Sequence, residues 1–334
     1  MRYISITVLF AAFLLLFSSC NEDSIIGPST ESSNYYEWST FPVSFNSVAN
    51  ISAAKNQTLF VSGSKSYKIT NGVVSEINFN DSNFRANLVF AYDDTYAVFL
   101  GTNNTAEQFL KIYDNGVINT YAWSPTTASG DIYFEQKEKF FYCNSYSNVY
   151  YYFNNGTMTP YTLPAAILPK FIRKIGDSVY LFANFFTRNS SSLRVYKISI
   201  AGFTEVYRGE NQGEIFPLTN DVIRLTRDNA NNTFDYFKET DWQNLFTNSL
   251  SANSQYISSL SGDTKSFMLA IGINPSGEYT AFVYNGNSYT KQANFIPGAF
   301  SGNSSLWFKS NYADNMVYFV NQYDATKIIK AKLK

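Results

Sequence analysis

The sequence predicts an all-β fold, a seven-bladed β-propeller closed by a strand from near the N-terminus. Two independent series of turn residues recur along the chain, and no stretch after the first twenty residues shows capped helical periodicity. One series is a glycine after a Tyr- or Ile-rich strand, at Gly72, Gly116, Gly156, Gly202 and Gly286, with Glu239-Thr240-Asp241 filling the skipped turn. The other is a polar residue before the most apolar strand: Asn56, Asp94, Glu138, Asp177, Asp221, Asp263 and Asp314. The glycines recur every 40 to 46 residues, counting the skipped turn, and the polar residues every 38 to 51, which together mark a repeat of about four strands, the size of one propeller blade.

Each strand type suits its place in such a blade. Apolar runs such as Leu59–Val61, Phe140–Cys143 and Val317–Val320 read as central strands, covered on both faces by neighbouring blades. The next strand alternates, as in Arg194-Val195-Tyr196-Lys197-Ile198, which suits a strand nearer the rim. Proline cannot donate to a ladder, so Pro160 is placed in an outermost strand, Pro217 in an innermost one, and the others in loops except Pro42. The last unit, from Ser305, ends one strand short. Glu37–Phe45 (EWSTFPVSF) has no unit of its own and is expected to complete that blade beside Lys327–Leu333, with Pro42 tolerated at the rim. The lysines of Lys327–Lys334 then face water along an edge. Six or eight blades are the neighbouring counts.

The composition agrees. Of 334 residues, 45% are apolar, 18% aromatic and 15% charged, with 26 Tyr and 30 Phe, the β-rich bias of a sheet protein. A repeat ring stays one domain at this length. A net charge of −1 leaves no electrostatic footprint for nucleic acid.

The N-terminus reads as an address. Arg2 precedes the apolar run Ile4–Phe17, which ends in Leu16-Phe17-Ser18-Ser19-Cys20. Small residues before a cysteine resemble the bacterial lipobox, and Asn21-Glu22-Asp23 resembles the export signal of Bacteroidetes surface lipoproteins. The resemblance implies a signal peptide over 1–19, lipid on Cys20 and an outer-membrane location in the cell envelope, periplasmic or surface-exposed. Residues 20–34, polar with Gly, Pro and Ser, are expected to form a flexible tether, and 35–334 the propeller.

The chemistry is bounded by the absence of histidine, which excludes Ser-His-Asp and Cys-His nucleophiles and histidine zinc sites. Cys143 lies in an apolar run and is expected to be a core residue. Asp93 and Asp94 fall at a repeated turn, which their side chains explain. Glu210, Glu214 and Asp228 are the better-placed carboxylates. No segment matches an EF-hand loop, so neither a metal nor another cofactor is expected. The positive feature is the loop face, where second-strand exits meet blade-to-blade links. Tyr146, Phe185, Arg188, Arg227, Asp228 and Tyr323 lie in those segments as candidate ligand-binding residues, rings to stack on a sugar and Arg188 or Arg227 to hold an acidic group. The expected function is a lipid-anchored, non-catalytic binding module for a protein or glycan. The alternative is a carbohydrate-active hydrolase or lyase using carboxylates or tyrosines at the propeller mouth, and a third reading is a structural subunit of an envelope assembly.

Overall fold

The computed structural model describes residues 29–43, 45, 48–122, 129–186, 191–210, 213–228, 231–249, 256–273, 278–295, 308–321 and 326–334. Cys20 lies outside them. Two strands precede the repeats, β1 (Ser29–Ser33) and β2 (Tyr36–Pro42). The first blade is β3 (Asn50–Ala54), β4 (Thr58–Ser62), β5 (Ser66–Thr70) and β6 (Val73–Ile77), and the second is β7 (Arg85–Ala91), β8 (Tyr96–Thr102), β9 (Gln108–Asp114) and β10 (Val117–Ala122). The third is β11 (Gly130–Gln136), β12 (Lys139–Asn144), β13 (Val149–Asn154) and β14 (Thr157–Thr162). The fourth is β15 (Ile167–Ile175), β16 (Ser178–Phe186), β17 (Ser191–Ser199) and β18 (Gly202–Glu210). The fifth is β19 (Glu214–Pro217), β20 (Val222–Arg227), β21 (Asn231–Lys238) and β22 (Asp241–Ser249). The sixth is β23 (Tyr256–Thr264), β24 (Phe267–Ile273), β25 (Tyr279–Tyr284) and β26 (Tyr289–Gln292), and the seventh contributes β27 (Phe308–Ala313), β28 (Met316–Asn321) and β29 (Lys327–Leu333).

These form seven sheets, and the fold is the expected seven-bladed propeller. The seventh blade is completed by β2, antiparallel to β29 from Tyr36↔Leu333 to Pro42↔Lys327. Pro42 sits at the end of this rim strand, where a missing N–H costs little.

The turns explain the two series. Third-to-fourth-strand hairpins carry Asn-Gly at Asn71-Gly72, Asn115-Gly116 and Asn155-Gly156, with φ of 51° and 83°, 48° and 92°, and 46° and 90°. Positive φ at both central residues is the type I′ geometry that Asn-Gly favours, because its twist matches that of the flanking strands. The polar residues mark the first-to-second-strand hairpins. Asp93 accepts bonds from the backbone N–H and the hydroxyl of Thr95, at 2.7 and 2.8 Å, the local capping anticipated for it. Asp263 lies instead in the last residues of β23, just before its hairpin.

Packing follows the ring. Seven buried apolar clusters occupy the seven blade-to-blade junctions. The second strands supply the most buried runs, with every residue of β4 buried. Tyr36, fully buried, joins Leu269 and Ile271 of the sixth blade to Val317 and Phe319 of the seventh. Met316, Val320 and Ile328 then pack on Ile51, Leu59 and Val61 of the first.

Three findings differ from expectation. The segment read as a tether is partly built into the fold: β1 pairs in parallel with β26 as a fifth strand of the sixth blade, Ser29 opposite Thr290 and Ser33 opposite Gln292. The free rim edge of β26 accepts it, and Gln292 Oε1 holds the following turn by accepting from Tyr35 and Tyr36 N–H at 3.1 and 3.2 Å. Second, Pro169 lies within innermost strand β15, not in a loop. A register shift between Pro169 and Phe171 accommodates it, and the channel-side edge of that strand has no partner strand to disappoint. Third, β17 does not alternate cleanly, because Leu193, Arg194, Val195 and Tyr196 are all buried. Arg194 is tolerated there between Glu205, 3.9 Å away, and the Phe185 ring at 5.1 Å.

We expect Tyr36→Ala to destabilise the protein by about 3–5 kcal/mol, the usual cost of truncating a fully buried aromatic. Tyr146→Ala, at a side chain 70% exposed, is expected to cost no more than about 0.5 kcal/mol. Urea unfolding of the two variants measures both.

Candidate functional site

The seven innermost strands, β3, β7, β11, β15, β19, β23 and β27, surround a central channel of about 720 Å³. Each has one edge without a ladder partner, so its backbone groups need other partners. Side chains from the neighbouring blade supply several of them. Asn311 accepts from Ala53 N–H at 2.9 Å, Ser52 from Ala91 N–H at 2.9 Å, and Asp131 from Ile172 N–H at 2.9 Å. On the far side, Ser310 bonds to Ser259 and Ser261 at 2.7 and 2.9 Å. Short polar side chains on the innermost strands therefore fix several blades against their neighbours.

Among the described residues, the charged ones lining the channel are Asp131, Lys170 and Arg173. Asp131 follows Gly130, whose φ is 138° and where any Cβ would overlap the Cys143 carbonyl. Its carboxylate receives Arg173 Nη1, and Arg173 Nε donates to the Leu218 carbonyl at 3.0 Å. This pair ties the third, fourth and fifth blades together. Lys170 is different. It is the extra residue of the bulge between Pro169 and Phe171, and a bulge re-aims the side chain it carries. The side chain reaches solvent yet is enclosed by protein in the channel, and that partial desolvation pulls its pKa below the ordinary lysine value. Register shifts also occur near the loop-face ends of β7, at Asn87, and β23, at Ser258. Tyr133 and Tyr312 line the channel as well, and burial raises the pKa of both phenols. They are protonated at neutral pH, and Tyr312 donates to Asn315 Oδ1 at 3.1 Å.

The sequence-derived candidates distribute around the loop face rather than the channel. Tyr146 follows β12 and is 70% exposed. Phe185, near the end of β16, lies against the Arg194 guanidinium. Arg227 ends β20, where its Nη2 meets Glu214 Oε2 at 3.2 Å and the Ile257 carbonyl at 3.4 Å. Asp228 accepts from Asn231 N–H at 2.6 Å. Arg227 and Glu214 are thus joined in one ion pair, and Asp228 caps a strand connection. Arg188 and Tyr323 lie outside the described residues. Cys143 is fully buried, and burial raises its thiol pKa well above the ordinary value, as suits a core residue. Among the described residues no group of three or more His, Cys, Asp or Glu converges. Sequence reasoning overlooked Asp131, Lys170 and Arg173, although the proline before Lys170 was a signal that the innermost strand is interrupted there.

No protein-family model matches the sequence, and no curated protein matches it. Solved structures match the fold. YCF48 bound to a D1 peptide is 11% identical, with a TM-score of 0.59 over 91% of this chain and 99% of that one. A chain of the mitotic checkpoint complex is 10% identical, with a TM-score of 0.59 over 91% and 96%. BamB from Moraxella catarrhalis is 8% identical, with a TM-score of 0.51 over 94% and 95%. These likenesses place the chain among β-propellers by fold.

Asp131→Ala is expected to cost about 2–4 kcal/mol, because it strands the Arg173 charge and the Ile172 N–H in the wall. Adding Arg173→Met should recover part of that loss. Urea midpoints of the single and double variants test it.

Proposed function

We propose that this chain is a lipid-anchored, extracytoplasmic binding module that holds a protein partner, or a glycan, at its loop face and channel mouth. The observation that carries the reading is the channel wall. Its carboxylate, Asp131, is committed to Arg173 and a backbone N–H, and its flanking phenols are held protonated. Such a wall offers hydrogen bonds and positive charge, which suit recognition. The enzyme alternative asks for a general acid and base pair across a cleft, and no observation favours it. One structural neighbour of this fold was solved with a peptide bound, which supports a protein partner.

The lipid anchor supports a definite orientation. Strand β1 runs parallel to β26, which leaves the hairpin at Asn285–Ser288. Ser29 therefore lies toward the hairpin face, and the chain joins the ring from that side. Val73, Val117 and Ile200, at third-to-fourth-strand hairpins, are 68%, 61% and 64% exposed. With Cys20 acylated, the hairpin face turns toward the bilayer and the loop face turns away from it, toward a partner.

Cys20→Ala should move the protein from the membrane to the soluble fraction, and unchanged fractionation would refute the anchor. Orientation is tested separately with an environment-sensitive fluorophore on Val117→Cys or Tyr146→Cys of the anchored protein in vesicles that carry a lipid quencher. The Val117 label should be quenched and the Tyr146 label should not; the reverse pattern would overturn the orientation.

A further inference from the structure

We propose that the loop-face end of the channel is a carboxylate-binding site, in which the Lys170 ammonium receives a single carboxylate from a ligand approaching from the loop face. The inference rests on the binding-module reading and names the chemistry of its ligand.

Four features of the channel carry it. The first is placement. Lys170 is the fourth residue of β15, close to the strand's loop-face end, and the Pro169 bulge aims it into the channel instead of into a blade junction. A lysine on a regular strand there would face a neighbouring blade, as buried Phe171 and Ile172 do. The second is charge. Among the described lining residues Asp131 supplies one negative charge and Lys170 and Arg173 two positive ones. Asp131 and Arg173 neutralise each other through a direct bond, which leaves Lys170 as the cation of the described channel wall without a counter-charge. Its ammonium is open to the channel solvent and can give a charge-assisted hydrogen bond to a carboxylate, which is stronger than a neutral one. One net positive charge matches a monoanion better than a dianionic phosphate.

The third feature is the rest of the wall. Asn50 and Ser258, near the loop-face ends of β3 and β23, line the same channel and offer an amide and a hydroxyl for the neutral part of a ligand. The fourth is size, since about 720 Å³ lies within the range of small-molecule and side-chain pockets. The lowered Lys170 pKa is consistent with this picture, because it arises from partial desolvation and an arriving carboxylate would reverse it. A carboxylate can arrive as a free small acid or as an acidic side chain or chain terminus of a protein partner.

The test uses the full chain in non-ionic detergent, with lysines reductively ¹³C-methylated and the Lys170 resonance assigned by its loss in Lys170→Met. Propionate, an N-acetylated dipeptide with a free C-terminal carboxylate, and the same dipeptide as its amide are titrated separately at constant ionic strength. Saturable movement of the Lys170 resonance with a carboxylate, absent with the amide and with chloride, is the expected result. Movement with propionate points to small acids, and movement with the dipeptide alone points to a polypeptide source. Lys170→Met should weaken binding, read by calorimetry, about tenfold to a hundredfold, and Lys197→Met, at an exposed strand position, should leave it unchanged. A Lys170 resonance that responds to the carboxylates no more than to chloride would overturn the site, as would equal affinity in well-folded Lys170→Met. A protein partner captured at the loop face without any carboxylate response would sink this inference and leave the binding-module reading standing.

Discussion

The ladder between β2 and β29 holds the two ends of the chain together, and the ring depends on it. Bringing such distant segments together costs on the order of 5 kcal/mol of loop-closure entropy, and the logarithmic dependence on length makes this only modestly worse than for a shorter loop. Backbone pairing from Tyr36 to Pro42 and burial of Tyr36, with Trp38 packed beside it, offset that cost, at roughly 1.5–3 kcal/mol for each large apolar side chain fully buried. With the seam closed, every blade has two neighbours and every second strand is covered on both faces. Without it, the sixth and seventh blades would lose the shared cluster around Tyr36. The added strand β1 strengthens the same seam from the rim.

Closure also creates the channel. Seven inner strands brought edge-on around an axis leave backbone groups without ladder partners, and the Asn, Ser and Asp residues there answer that need first. Their hydrogen bonds to the next blade explain why the innermost strands are more polar than the second strands. Lys170 stands apart from this structural use, because it is displaced by a bulge and has no role in joining blades. The Asp131–Arg173 pair sets the contrast: the same wall contains one charge pair that locks three blades and one ammonium that locks none.

Much of the architecture was legible in the chain because blades are local. Asn-Gly hairpins at Asn71, Asn115 and Asn155 declare themselves through the φ > 0 they require, and runs such as Phe140–Cys143 declare their burial through composition. Pro42 and Pro160 marked rim strands correctly by their missing N–H. The candidate site was less legible. Tyr146 and Asp228 were placed on the loop face by counting turns, but which side chains turn into the channel depends on bulges of one residue. Pairing in parallel by Ser29–Ser33 was hidden for another reason. A polar Ser-rich segment carries no strand period, and its partner edge on β26 exists only in the folded ring.

By itself the sequence determined the repeat, the strand order, the number of blades and the closing strand, because turn chemistry and apolar runs act over a few residues. The exposure of Val73, Val117 and Ile200 together on one face, the union of Asp131 with Arg173 and the isolation of Lys170 were decided by the tertiary structure. Each depends on distances between residues of different blades, and only the closed ring sets those distances.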